Sequence, residues 1–517
     1  MVILQIREWD GQRRQIEVET AGRTLLSILQ EQQIYLDAPC NGKGTCGKCR
    51  VHFLEGAPKP DEKEKKLLSE KELSEGIRLA CVTKIEGACS VQFLEDGQEN
   101  MMALAGEAEA YKKETDRAKD YGIAIDIGTT TLAAALIDLS SGKRVAVTTG
   151  VNHQRAYGAD VIARIAVDNE GKGGALREWI QRDLREMIGQ LLKQADCKPT
   201  DIKKVAVAGN TTMCHLLLGF PCRTLGESPF TPVDISLIKK SYQEIFKTEE
   251  LSCPVTVLPG ISAFVGADIV AGIYESGMQR QAEPSLLLDI GTNGEMVIGN
   301  RDGLLATSTA AGPVFEGGNL SCGVPGIPGA ITHVELEEVK GAWEYRTHLK
   351  TIENLPPVGL CGTGIIDAVS ELVRLGILDE NGNLREPWFD EGFPISGEEI
   401  RFQERDVREI QMGKAAIRAG IETIIQEYGK EPERIYLAGG FGTCMNVESA
   451  IRIGLFPESF RGKVVPVGNS ALAGAARLLV EGVDGEMQIC GISSMTREIN
   501  LAMHPRFQEL YLESMFF

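Results

Sequence analysis

One short motif occurs twice in this chain, and that repeat limits what it can fold into more than any other feature. Ile125-Asp126-Ile127-Gly128-Thr129-Thr130 returns 163 residues later as Leu288-Asp289-Ile290-Gly291-Thr292-Asn293. A second pair follows in the same order, Val205 to Asn210 (VAVAGN) and Ile435 to Gly440 (IYLAGG), each an apolar run ending in Ala-Gly. Two echoes in one order predict two similar lobes, one duplicated from the other. Between the repeated strands lie helical stretches such as Ala175 to Gln194 and Val407 to Gln426, the pattern of an α/β fold. With 517 residues the chain has room for about three domains, so two lobes leave one part over.

That part is the first hundred residues. Residues 2 to 9 and 12 to 20 alternate apolar and polar around Asp10-Gly11, the signature of a tight hairpin. Thr24 to Gln32 reads as a short helix with Leu25, Leu26, Ile28 and Leu29 inward, and Arg50 to Glu55 and Ala88 to Leu94 read as further strands. From Glu95 to Asp120 the chain is rich in Glu, Lys and Ala with little apolar periodicity, which suits a linker. The expected organisation is a small α+β domain over 1–96, a linker over 97–120, one lobe over 121–285 and a second over 286–517.

Thirteen cysteines would be unusual as a disulfide framework in a cytoplasmic protein, and no signal peptide is visible at the start. Tightly spaced ones are therefore better explained as ligands. Cys40, Cys46 and Cys49 lie in APCNGKGTCGKC and Cys81 in RLACVTK, a C-x5-C-x2-C-x31-C spacing. Four thiolates can hold a 2Fe-2S cluster, and Gly42, Gly44 and Gly47 let backbone amides approach its sulfurs. A zinc ribbon usually wants two short C-x2-C pairs and a 4Fe-4S site a denser run, and neither pattern is present. Cys89, in an alternating strand, reads as a buried neighbour. Glycine, at 57 residues or about 11%, is enriched over a background near 7%, as expected of loops that bring backbone close to ligands.

The cysteine loop, the RLAC tetrapeptide and the hairpin–helix start together resemble 2Fe-2S ferredoxins of the β-grasp fold over about residues 1 to 96. Asp126, Gly128, Thr129, Thr130 and Thr131 follow a buried strand, and such a turn offers amides and hydroxyls to phosphate oxygens. Asp126 and Asp289 beside phosphates make sense only with a cation such as Mg2+ between, often through water. With Leu437 to Gly442, the set resembles the acetate and sugar kinase, heat-shock chaperone and actin superfamily, which closes two phosphate loops and an adenosine loop over ATP. The resemblance implies a first phosphate loop at Asp126 to Thr131, a second at Asp289, Gly291, Thr292 and Asn293, and an adenosine loop at Gly439, Gly440, Phe441 and Gly442. Gly209 to Thr212 and Gly362 to Gly364 are similar to its hinge segments. Asp268 and Glu316 are weaker candidates for the cleft, and Lys414, on a helix before the adenosine loop, is expected to be solvated. His153 and His215 read as structural, and Cys361 and Cys444 as small thiols beside nucleotide loops.

A 2Fe-2S domain joined to such an ATPase, with GNTTM, DIGTNGE, AAGPVFEGG and GNSALAGA, resembles the reductive activators of corrinoid-dependent enzymes. The resemblance implies an electron passed from the cluster to Co(II) of a corrinoid protein in a methyltransferase system, regenerating Co(I), with ATP and Mg2+ as cofactors. It implies that corrinoid protein and an upstream low-potential electron donor as partners, with a homodimer allowed. Against some members, the chain is expected to lack a segment between ferredoxin and ATPase. The alternative is a redox-sensing small-molecule kinase of the same superfamily, and no general base for it can be singled out. An activator of 2-hydroxyacyl dehydratases is a third reading, set aside because the plausible ligands here are all N-terminal. A net charge of −19 argues against a nucleic-acid partner, and no apolar stretch reaches the roughly 18 residues of a membrane span.

Overall fold

The structure is a computed structural model and describes residues 2–8, 12–19, 22–38, 40–94, 120–339, 344–397, 399–440 and 444–517. The Asp10-Gly11 turn and the linker before Asp120 lie outside the described residues. The chain forms two compact units. The first comprises residues 1–99, 151–184 and 215–233, the second 100–150, 185–214 and 234–517. Two stretches beyond residue 121 thus pack in the same unit as the N-terminal domain.

In the first unit, β1 (Val2–Arg7), β2 (Arg13–Val18), β3 (Arg50–Glu55), β4 (Ile77–Leu79) and β5 (Cys89–Phe93) form one sheet in the order β2-β1-β5-β3-β4. β1 and β2 pair antiparallel from Val2 opposite Val18 to Arg7 opposite Arg13, as the alternation predicts. The helix Leu25–Glu31 is capped by Thr24, whose hydroxyl accepts from the Ser27 amide, and it buries Leu25, Leu26, Ile28 and Leu29 against the sheet. Residues 151–184 join this domain through specific contacts. Arg155 pairs with Asp37 at 3.3 Å, both nearly buried, and Gln30 donates to the Ala156 carbonyl at 2.6 Å. Tyr35 stands edge-on to His153, whose Nδ1 lies 2.7 Å from Asp183. His215 Nε2 accepts from the Val233 amide, so both histidines are tied into the framework.

The second unit holds two six-stranded sheets on one plan. The first runs β10 (Ile238–Ser241), β11 (Pro254–Val257), β9 (Ile202–Gly209), β6 (Tyr121–Ile127), β7 (Thr131–Asp138), β8 (Arg144–Val151). The second runs Val464–Gly468, Arg434–Ala438, β12 (Ser285–Ile290), β13 (Asn293–Asn300), β14 (Gly303–Ala310), Thr496–Glu498. In each, a central apolar strand pairs parallel on one side and antiparallel on the other. Asp126 stands opposite Ala208 and Ala133, and Asp289 opposite Ala438 and Glu295. Both echoes therefore occupy equivalent strands. Central strands covered on both faces read as continuous apolar runs, and an aspartate near the end of each is the exception that marks the site.

Two helices, Ala267–Ser276 and Ser470–Glu481, cross backbone to backbone. A Cβ on Gly474 would lie 2.2 Å from the Ala271 carbonyl oxygen, and one on Gly272 would lie 2.8 Å from Ser470 Oγ. Among the described residues no helix is long and apolar enough to cross a membrane.

Candidate functional site

The cysteine loop of the first unit is built around its thiols. Gly42, Gly44 and Gly47 all have positive φ, at 75°, 70° and 66°. A Cβ on Gly44 would lie 2.8 Å from Val82 Cγ1, so glycine is required there by both conformation and space. The thiols pair two and two. Burial pushes the Cys40 thiol up, but amides of Thr45, Cys46 and Gly44, with the Cys46 side chain, bring it down to about 6. Cys46 is raised to about 11 by burial and by Cys40, against the Lys48 amide. The Cys49 thiol is lowered, first by the Cys81 side chain and then, against burial, by the Cys81 amide; Cys81 is raised in return. Cys89 stands apart on β5 and is raised to about 11 by burial alone. Among the described residues no three His, Cys, Asp or Glu side chains are grouped to hold a single ion. Two pairs of thiols in a cradle of amides suit a binuclear cluster, in which each iron takes two protein sulfurs.

The second unit contains a cavity of about 490 Å³, a usual size for a small-molecule site. Asp126, Gly128 and Thr129–Thr131 line it from the β6–β7 turn, Asp289 and Gly291–Asn293 from the β12–β13 turn, and Gly439 and Gly440 from the third loop. Phe441 and Gly442 lie outside the described residues. Each turn is closed by its own glycine: the Gly128 amide donates to the Thr131 carbonyl at 3.1 Å, the Gly291 amide to the Asn293 carbonyl at 2.8 Å. A Cβ on Gly128 would lie 2.5 Å from the Thr131 carbonyl oxygen.

Carboxylates gather at the same cavity. Asp126, Asp268, Asp289, Glu295 and Glu316 all line it, half-buried and open on the cavity side. Burial raises Asp126 to about 7, with Asn469 opposing and Asp289 adding. Burial and the Asp126 charge raise Asp268 to about 7; burial with Asp268 and Glu316 does the same to Asp289. Glu295 is likewise raised, by burial and then by Asp268 and Asp289. Like charges this close cannot all ionise without a cation.

Two asparagines brace the loops. Asn210 donates to Thr129 Oγ1 at 3.0 Å and accepts from the Met213 amide. Asn469 donates to Asp126 Oδ2 at 2.8 Å while capping its own helix at the Leu472 amide. Glu316 accepts from the Thr292 amide at 3.1 Å and hydroxyl at 2.9 Å, so it orients the second turn. Asn469 and Glu295 escape sequence reasoning. The local signal at Asn469 is only that of a helix cap. Cys361 and Cys444 also line the cavity. Lys414 does not line it, and it is not solvated as expected. It is buried, donates to the Ser514 and Phe516 carbonyls at 2.6 and 2.5 Å, and is pushed down to about 7 by burial and then by Arg418.

Comparison with known proteins gives three family matches. Residues 7–86 match the 2Fe-2S iron-sulfur cluster binding domain, 121–281 the RACo middle region, and 283–517 the C-terminal domain of RACo, the ASKHA domain. The middle region thus coincides with the stretch expected to form the first lobe, and it begins where that lobe is expected to begin. The corrinoid activation enzyme RamQ of Eubacterium limosum is 34% identical over 426 residues, 77% of this chain and 70% of that protein. The Co(II) methylated amine-specific corrinoid protein reductase of Methanosarcina barkeri is 30% identical over 389 residues, 70% of each chain. A solved reductive activator for corrinoid, iron-sulfur protein superposes with a TM-score of 0.69 at 26% identity, covering 100% of this chain and 98% of the other.

Proposed function

The chain belongs to the family of reductive activators of corrinoid proteins, and from that membership we infer that it passes one electron to Co(II) of a corrinoid protein, with ATP. The observation that carries this is the pair of curated relatives, each at least 30% identical over 70% or more of this chain and each named for work on corrinoid proteins. The kinase alternative has no comparable support.

Cys40, Cys46, Cys49 and Cys81 would hold a 2Fe-2S cluster, which supplies a one-electron carrier when bound. The amides of Gly44, Thr45 and Cys46 aimed at the Cys40 sulfur stabilise its thiolate. An upstream donor of low potential would deliver the electron. The transfer to cobalt runs uphill, since Co(I) is strongly reducing and plant-type clusters sit near about −400 mV. Each shortfall of about 59 mV is a factor of ten in a one-electron equilibrium.

ATP supplies the bias only if it binds one arrangement of the chain more tightly than another. The cavity is suited to that role because its two phosphate-type turns come from two separate sheets. Amides of Gly128–Thr131 and Gly291–Asn293 and the threonine hydroxyls would meet phosphate oxygens. Asp126 and Asp289 would hold Mg2+ through water, and Gly439 and Gly440 would flank the adenosine.

The direct test is anaerobic. Reduced protein with MgATP should convert a methyltransferase corrinoid protein from Co(II) to Co(I), read from its absorbance; equal conversion without nucleotide would refute the coupling. A second expectation concerns Gly439, whose φ is +77° and whose Cβ would lie 2.9 Å from Asp289 Oδ1. Gly439→Ala should weaken MgATP binding about tenfold in calorimetric titration, combining backbone strain of roughly 1 kcal/mol with displacement of that carboxylate. Unaltered affinity would remove this loop from the nucleotide site.

A further inference from the structure

Glu64 lies buried under the turn that carries Cys81, and among the described residues no lysine or arginine pairs with it. It opens the short helix Glu64–Leu67. Its Oε1 accepts from the Leu79 amide at 2.7 Å and lies 2.8 Å from the Thr83 hydroxyl, which is also 2.8 Å from the Leu79 carbonyl; its Oε2 accepts from the Asp61 amide at 2.9 Å. Arg78, although adjacent in the chain, turns its guanidinium to the carbonyls of Pro58, Leu73 and Ile77. Leu79 and Thr83 stand two residues either side of Cys81, and two residues span at most about 7 Å. The carboxylate therefore sits within roughly 10 Å of that cysteine, anchored on both flanks. Both carboxylate oxygens accept from backbone amides, an arrangement that a glutamine, with one accepting and one donating end, would not match.

We propose that Glu64 is a positioning residue that lowers the reduction potential of the cluster, making its electron easier to pass to Co(II). This rests on the reading of Cys40, Cys46, Cys49 and Cys81 as ligands. Reduction adds one negative charge to the cluster, and a fixed negative charge about 10 Å away opposes it by about tenfold in the equilibrium at an effective dielectric of about 20.

The test is a redox titration of the cluster in the full chain, followed by visible absorbance. Glu64→Gln should raise the midpoint about tenfold in the equilibrium, about 59 mV. Thr83→Val removes the hydroxyl that shares Oε1 while leaving the charge, so it should shift the midpoint in the opposite direction, downwards. A purely structural role would not give opposite signs. A shift of both in one direction, or in neither, overturns the proposal; should only one variant load a cluster, the sign of its shift decides. Failure of the ligand reading is distinct, because the unaltered chain would then show no cluster to titrate.

Discussion

Cys46→Ser should yield a folded chain without the visible absorption of a 2Fe-2S cluster, without cluster iron and sulfide, and with no detectable reduction of a corrinoid protein. The serine hydroxyl does not ionise near neutral pH, so it cannot replace the thiolate that iron requires. Cys46 is half-buried against Cys40, and it belongs to the loop whose amides surround that sulfur. Loss of one sulfur from a two-and-two arrangement leaves one iron with a single protein ligand. Cys89→Ser is the matched control, because Cys89 lies on β5, away from the loop, and its thiol feels burial only. It should keep the full spectrum. A cluster spectrum unchanged in Cys46→Ser, with the fold confirmed by far-UV circular dichroism, would overturn the assignment of the four ligands.

Asp289→Asn should stabilise the nucleotide-free chain at pH 8 and at the same time abolish its response to MgATP. Asp126, Asp268 and Asp289 are each raised from 3.8 to about 7, mainly by burial. At these three positions the folded chain binds protons that the unfolded chain has released between about pH 4 and pH 7, so their contribution to stability is greatest at low pH and falls as pH rises through that window. Bound Mg2+ holds the carboxylates ionised and should flatten the slope. Removing one of the charges at pH 8 should add on the order of 1 kcal/mol, well short of what the full shift would give, because the cavity side is open to water. The same variant should lose about 100-fold in ATP-dependent Co(I) formation, equivalent to about 2.7 kcal/mol. Thermal melts at pH 6 and pH 8 with and without MgATP, run beside the corrinoid assay, check both halves. A variant that loses stability at pH 8 while keeping its nucleotide response would contradict the placement of this carboxylate.

How much of this could be read from the chain depends on how far apart the interacting residues lie. The two Asp-Ile-Gly-Thr turns are local: an apolar strand, a carboxylate and a glycine within six residues, so their equivalence in the two sheets is legible in sequence. The cysteine loop is legible for the same reason, since three of its four cysteines and the glycines it needs are contiguous. Asn469 is not, because its hydrogen bond to Asp126 spans 343 residues and only the helix cap shows locally. Lys414 misleads similarly. A lysine on a long helix ordinarily reaches solvent, and the carbonyls that bury it come from residues about a hundred positions later. The assignment of residues 151–184 to the unit of the N-terminal domain depends on contacts such as Asp37 with Arg155, which no pattern in either segment announces.

The crossing of Ala267–Ser276 with Ser470–Glu481 has a mechanical consequence. Each helix begins at the cavity, one bearing Asp268 in its first turn and the other capped by the asparagine that holds Asp126. Their bodies meet at two glycines, Gly474 against the Ala271 backbone and Gly272 against the small Ser470 side chain. Such a pair can turn about its point of contact, so whatever draws the starting ends together at the phosphates would change the angle at which the helices cross and carry the displacement along both of them to their far ends.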